Sequence, residues 1–264
     1  MIDKLRGVCY NMVNVMYQIN YEPAMRISLA KGNSKLGKGV YALNLIPGNK
    51  PLSTKDRGQL TNVRGTCGGC CDGCEGLCYA VKDAQRFHNT VIPSAGKNTV
   101  IMRHNMEDGF EQLKYNLIKK RAKVLRYHSS GEIESYNYLL HMVKLAVELP
   151  NVRFYFYTKR FGFVEKYLNE CGDFPKNCVC NISEWKGNTD GYNLRGLNRF
   201  VYDDGTDPNL VKVFHCPAVG NDGRKTEITC DYCGRCFSGN NGHITAVYDH
   251  SGKRKQNKMI KERC

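Results

Sequence analysis

Residues 123–159, KVLRYHSSGEIESYNYLLHMVKLAVELPNVRFYFYTK, contain the alternation that decides the fold. KVLRYHSS reads as a short strand ending in small polar residues. SYNYLLHMVKLAVEL repeats apolar positions at helical spacing until Pro150 closes it. VRFYFYTK then restores the strand signal with aromatic residues. The rhythm continues downstream with FGFVEKYLNE as a helix, and with NCVCNISEW and VKVFHCPA as strands. Strands separated by helices imply parallel pairing, because a parallel neighbour needs a crossover connection. Upstream, GVYALNL reads as one strand bounded by turns and YAVKDAQRFH as a helix. A further helix is expected over residues 107–122, after a Pro-containing break. In a parallel sheet the loops after the strands converge on one face. The residues that matter are therefore His128 to Glu132, Thr158 to Arg160, Ile182 to Trp185, and His215 to Pro217.

The chain around this stretch has 264 residues, with 41% hydrophobic and 24% charged side chains. That length and composition suit one folded domain with insertions and exclude long disorder, collagen and coiled coil. Residues 1–60 read as an N-terminal lead-in, 61–250 as the α/β domain with a cysteine-rich insertion at 216–236, and 251–264 as a basic tail. No run approaches the roughly 20 apolar residues of a membrane span, so no membrane partner is expected. The opening MIDKLRGVCYNMVNV lacks a cleavable secretory pattern, and a cytoplasmic location is expected. A net charge of +14 favours anionic partners. The patches KKRAK and KRKQNK are candidates for contacts with nucleic-acid phosphates, although no interleaved aromatics suggest base readout.

Fourteen cysteines are the more decisive feature. In a reducing compartment, clustered cysteines are metal ligands or redox groups more often than structural disulfides. Residues 67–78, CGGCCDGCEGLC, are too glycine-rich for a regular helix and suited to wrapping a metal centre. Two overlapping spacings can be read: Cys67-x3-Cys71-x2-Cys74, or Cys67-x6-Cys74-x3-Cys78, with Cys70 left over in either. Three thiolates on a four-iron cubane leave one iron open to a small molecule, whereas a zinc knuckle is the structural alternative. The second group is Cys230-x2-Cys233-x2-Cys236 with the remote pair Cys216-Pro217, the arrangement by which ferredoxins close a cluster with four thiolates. The same four residues would also serve structural zinc. Cys9, Cys171, Cys178, Cys180 and Cys264 lack such spacing and read as small buried hydrophobes.

Taken in order, NSKLG, Cys67 to Cys74 to Cys78-Tyr79-Ala80, Arg126-Tyr127-His128-Ser129-Ser130-Gly131-Glu132, FYFYTK, and Cys216-Pro217 with the Cys230 triplet resemble the phage "gene product 88" proteins. The resemblance spans roughly residues 33 to 250, and implies the host cytoplasm as location. That family is in turn similar to radical S-adenosylmethionine (SAM) enzymes. The likeness implies a partial (βα)6 barrel-like parallel sheet carrying cysteine-rich metal-binding insertions. It also implies a three-cysteine loop after the first strand and a Gly-Glu segment after the second that holds the methionyl amine. Ser130, Gly131 and Glu132 stand in that second place. The radical SAM signature has an aromatic residue before its last cysteine, whereas this chain has Gly73 before Cys74 and Leu77 before Cys78.

His128 is a candidate cluster ligand, proton donor or cofactor contact, or else a structural histidine. Glu132 is a candidate acceptor for a ligand ammonium, or a first-turn helix carboxylate. Lys159 and Arg160 are candidate anchors for phosphate or carboxylate, or a solvated pair. Asn181, Ser183 and Glu184 offer polar contacts, and Trp185 a stacking surface. The leading expectation is an iron–sulfur protein with one or two [4Fe-4S] clusters, an open-iron site for SAM and an unread substrate, fed by a reductant. The rivals are a zinc-stabilised nucleic-acid-binding protein and a two-cluster electron carrier or redox sensor.

Overall fold

The computed structural model describes residues 25–50, 63–68, 74, 78–185, 188–203, 205–220 and 224–248. Cys9, Cys70, Cys71, Cys264 and the basic tail 251–264 lie outside them. Eight strands form one sheet. They are β1 (Leu29–Lys31), β2 (Val40–Leu43), β3 (Val124–Tyr127), β4 (Arg153–Thr158), β5 (Cys178–Glu184), β6 (Asn198–Asp203), β7 (Phe214–His215) and β8 (Ile244–Tyr248). The spatial order is β1-β2-β3-β4-β5-β6-β8-β7. Only the β1–β2 pair is antiparallel, and every other neighbour is parallel. The sheet is open, with β1 and β7 as its two edges. Strands β1 and β2 come from the segment read as a lead-in, and β2 pairs directly with β3 through Val40–Val124 to Leu43–Tyr127.

Helices supply the crossovers from β2 through β5. The helices are α1 (Tyr79–Arg86), α2 (Val91–His104), α3 (Met106–Lys119), α4 (Tyr136–Glu148), α5 (Phe161–Cys171) and the single turn α6 (Cys230–Cys233). Local chemistry explains their starts. The Ser135 side chain accepts from Tyr138 N at the head of α4, and Asn105 accepts from Asp108 N at the head of α3. Glu107 and Asp108 add acidic charge to the first turn of α3. Three helices, rather than a pair, separate the first cysteine group from β3. Pro93, which signals a break in the sequence, lies in the first turn of α2, where its missing N–H costs nothing. Helix α2 is tied to the sheet edge by polar groups. Asn98 exchanges hydrogen bonds with the Ser28 backbone and donates to Asn44 O, and Thr99 Oγ1 accepts from Ile46 N.

The two faces of the sheet carry different cores. Alternate strand residues Leu125, Tyr127, Phe154, Phe156, Cys178, Cys180 and Ile182 pack against α2, α3, α4 and α5. Their neighbours Val40, Ala42, Tyr155 and Val179 face the other way and are covered by Phe237, with Tyr157, Cys230 and Cys236 packed beside them. Period-two alternation thus places helices on one face and the second cysteine group on the other. Of the strand expected over VKVFHCPA only β7 forms, while β6 and β8 complete the sheet. No helix of the described residues is long and apolar enough to cross a membrane.

Candidate functional site: a cysteine-walled cavity at the strand ends

A cavity of about 830 Å3 opens where the parallel strands end. All four strand-end segments contribute to it: His128 to Glu132, Lys159 and Arg160, Ser183 to Trp185, and Cys216 with Pro217. Cys67, Cys74 and Cys78 of the first group also line it, as do Cys230, Cys233 and Cys236 of the second. Among the described residues, no three His, Cys, Asp or Glu side chains are grouped tightly enough to hold a metal ion. Cys178 and Cys180 lie elsewhere, fully buried in the helix-side core.

The segment after β3 is shaped by backbone as much as by side chains. His128 has φ +58°, and its N–H donates to Leu43 O at 2.9 Å. Its Nε2 lies 3.0 Å from the Tyr138 hydroxyl, whereas Nδ1 is buried without a hydrogen-bond partner. Burial, with the Arg126 charge adding to it, pushes the imidazole down to about 3, so His128 is neutral at ordinary pH. It therefore has no cationic proton to give, which limits the expected role of proton donor to its neutral N–H. Ser130 Oγ donates to Leu45 O, and Ser130 O accepts from Leu45 N, so this serine stitches the loop to the chain after β2. Gly131 takes φ +88°. Ser129 Oγ is buried at the cavity with no partner; the sequence places it in the strand-end segment without giving it a role of its own.

Glu132 is occupied by its own chain. Oε1 accepts from Thr158 Oγ1 at 2.9 Å and from Ile133 N at 2.8 Å, and Oε2 accepts from Lys159 N at 3.0 Å. Burial raises its carboxyl above the usual range, opposed by those hydrogen bonds and by the Lys159 charge. Its first task is to join the β3 and β4 loops, leaving acceptor capacity mainly on Oε2. Lys159 Nζ donates to Ser183 Oγ at 3.0 Å and stands 5.0 Å from the Trp185 ring centre. Arg160 reaches across to Gly68 O beside Cys67 and stacks on Phe163. Glu184 is paired with Arg199, and Asn181 Nδ2 donates to Phe156 O and Cys236 O.

The second cysteine group is held by the NSKLG loop. Cys230 N donates to Lys35 O at 2.8 Å, Asp231 N to Leu36 O at 3.0 Å, and Gly39 N to Asp231 Oδ2 at 3.2 Å. Gly234, at φ +68°, ends α6 and turns the chain so that Cys236 follows in a 3-10 turn over Arg235–Phe237. Cys216 and Cys233 act electrostatically on Cys230, and all three act on Cys236. Burial raises the Cys230 thiol, against the opposing charges of Arg126 and Lys35, and pushes Cys236 up to about 12.

Basic groups dominate the rim and walls. Lys35, Lys82, Arg126, Lys159, Arg160 and Arg235 face three carboxylates, Asp83, Glu132 and Glu184. Fold and site together define an open, mostly parallel α/β protein with a cation-rich cavity walled by two cysteine groups. The chain belongs to the Gene product 88 family, whose family model matches residues 27–239. No curated protein and no solved structure matches it.

Proposed function

We propose that this protein binds two [4Fe-4S] clusters in the one cavity, a closed one on Cys216, Cys230, Cys233 and Cys236 and an open-iron one on the first cysteine group, and acts as a radical SAM-like enzyme. The observation that carries this reading is the meeting of seven described cysteines from two distant sequence segments in one cavity at the strand ends. Two further features support it. The donor set of the second group is all thiol, the soft ligand type that iron–sulfur clusters take. The parallel strands β2 to β6 follow one another in chain order in the open sheet, and the first cysteine group follows β2, the order such an enzyme would use.

When bound, the open cluster supplies one electron to a sulfonium ligand. The chain's own residues bind, position and exclude water. Cys67, Cys74 and Cys78, with Cys71 as the alternative third ligand, would hold the cluster. Glu132 fixes the loops after β3 and β4, Ser129 offers a free hydroxyl to a ligand, and Trp185, Tyr157 and Phe200 form an apolar wall. The test is calorimetry with SAM on anaerobically reconstituted protein beside a Cys74→Ser variant. Wild type should bind and the variant should not. Iron-loaded wild type that fails to bind SAM overturns the enzyme reading and leaves a two-cluster electron carrier.

A further inference from the structure

Arg126 is a half-buried cation on the cavity wall with no carboxylate among the described residues to pair it. It lies on β3 on the face away from the helices, and no carboxylate among the described residues is within ion-pair distance of it. Its Nε is buried with no hydrogen-bond partner, and its guanidinium lies 4.9 Å from the centre of the Tyr157 ring. A cation whose Nε is sealed from water without a partner is favoured by an anion close at hand. The groups that act on it are Tyr79, Tyr155 and Tyr157 and, from the second cysteine group with which it shares the cavity wall, Cys230. Arg126 acts electrostatically on Cys230, and Lys35 acts on Cys216, Cys230 and Cys236. Lys35 is fixed there by the backbone bond from Cys230 N to its own carbonyl. Tyr157, whose ring Arg126 covers, packs beside Cys236 on this face of the sheet, which brings its hydroxyl into the reach of that sulfur.

We infer that Arg126, Lys35 and Tyr157 form a built counter-charge for an anionic thiolate cluster on Cys216, Cys230, Cys233 and Cys236, and that they raise its reduction potential so that this site takes up electrons. The inference rests on the proposal that these cysteines hold a cluster. It adds which residues set the cluster's electron affinity and in which direction. Four thiolates on a cubane leave it net negative, and reduction by one electron adds a further negative charge. A fixed positive charge and a hydrogen bond to sulfur both favour the reduced form, and burial strengthens the charge effect. No proton transfer is needed, because the arginine stays charged throughout. The three residues come from three separate stretches, the NSKLG loop, β3 and β4, which converge only in the fold.

The test is a potentiometric titration of reconstituted protein followed by electron paramagnetic resonance, in a Cys74→Ser background that leaves the second site as the signal. Arg126→Gln and Tyr157→Phe are compared with the parent, and Lys82→Gln, a cavity cation without these contacts, is the control. The midpoint potential should fall in Arg126→Gln and in Tyr157→Phe by several times the scatter of repeated titrations, and fall further in the double variant. Lys82→Gln should leave it unchanged. Tyr157→Phe preserves the ring and is the informative variant if Arg126→Gln fails to fold. A loaded cluster whose potential does not move in Tyr157→Phe or Arg126→Gln overturns this inference while leaving the cluster proposal standing. Failure of the parent protein to take up iron overturns both.

Discussion

Gly131 is constrained on two counts: φ is +88°, and a Cβ there would stand 2.7 Å from Leu45 Cβ and 2.8 Å from Thr66 Oγ1. Both neighbours belong to segments that enclose the cavity, so neither yields freely. Gly131→Ala should cost about 2–4 kcal/mol, the sum of a left-handed penalty and overpacking, measured by denaturant unfolding. His128 adds a pH dependence. In the unfolded chain its imidazole titrates near 6.5, in the fold only near 3. Between these values the unfolded chain takes up a proton that the fold refuses, so stability falls as pH drops through that window and is unaffected above it. His128→Asn, which tolerates the left-handed backbone, should flatten that acid slope in melting temperature. Glu132 contributes in the opposite sense: its raised pKa makes the fold the better proton binder above the ordinary carboxyl range. The His128→Asn comparison isolates the histidine's share.

The 3-10 turn that ends the second cysteine group seals one face of the sheet. Phe237 is 7% exposed and its ring lies 5.2 Å from that of Tyr155. Phe237→Ala should cost about 3–5 kcal/mol and also lower metal retention, because it loosens the turn that carries Cys236. An unchanged metal content with reduced stability would show the turn to be held independently by Asn181 and the NSKLG loop. At this scale the sequence was readable where apolar periods were long. The helices α3, α4 and α5 and the strands β3, β4 and β5 follow from patterning alone. The strands β6 and β8 were not legible, because Asn198–Asp203 and Ile244–Tyr248 are short and carry weak alternation. Helix α2 was hidden by Pro93. For the candidate site, strand-end logic named four of the segments that line the cavity. Arg126 was not legible, because nothing in VLRY distinguishes a solvated strand arginine from one stacked on a tyrosine of the next strand.

At the scale of the molecule, charge and metal give separate expectations. The +14 surface should bind duplex DNA weakly and without sequence preference. That binding should be lost between about 50 and about 200 mM salt, as counterion release requires, in a band-shift titration. Binding that survives the higher salt and prefers one sequence would favour the nucleic-acid reading instead. Metal also stabilises the fold, since ligands organised only in the native state tie binding to folding. Chelation of the reconstituted protein should therefore lower its melting temperature, with the loss smaller in Cys233→Ser. The central claim, two iron–sulfur clusters on two cysteine groups, is tested most directly by counting iron and sulfide in anaerobically reconstituted protein. Wild type should contain about eight of each per chain and Cys233→Ser about four, with a brown charge-transfer spectrum in both. A colourless protein containing zinc, or an iron content unchanged by Cys233→Ser, would contradict it.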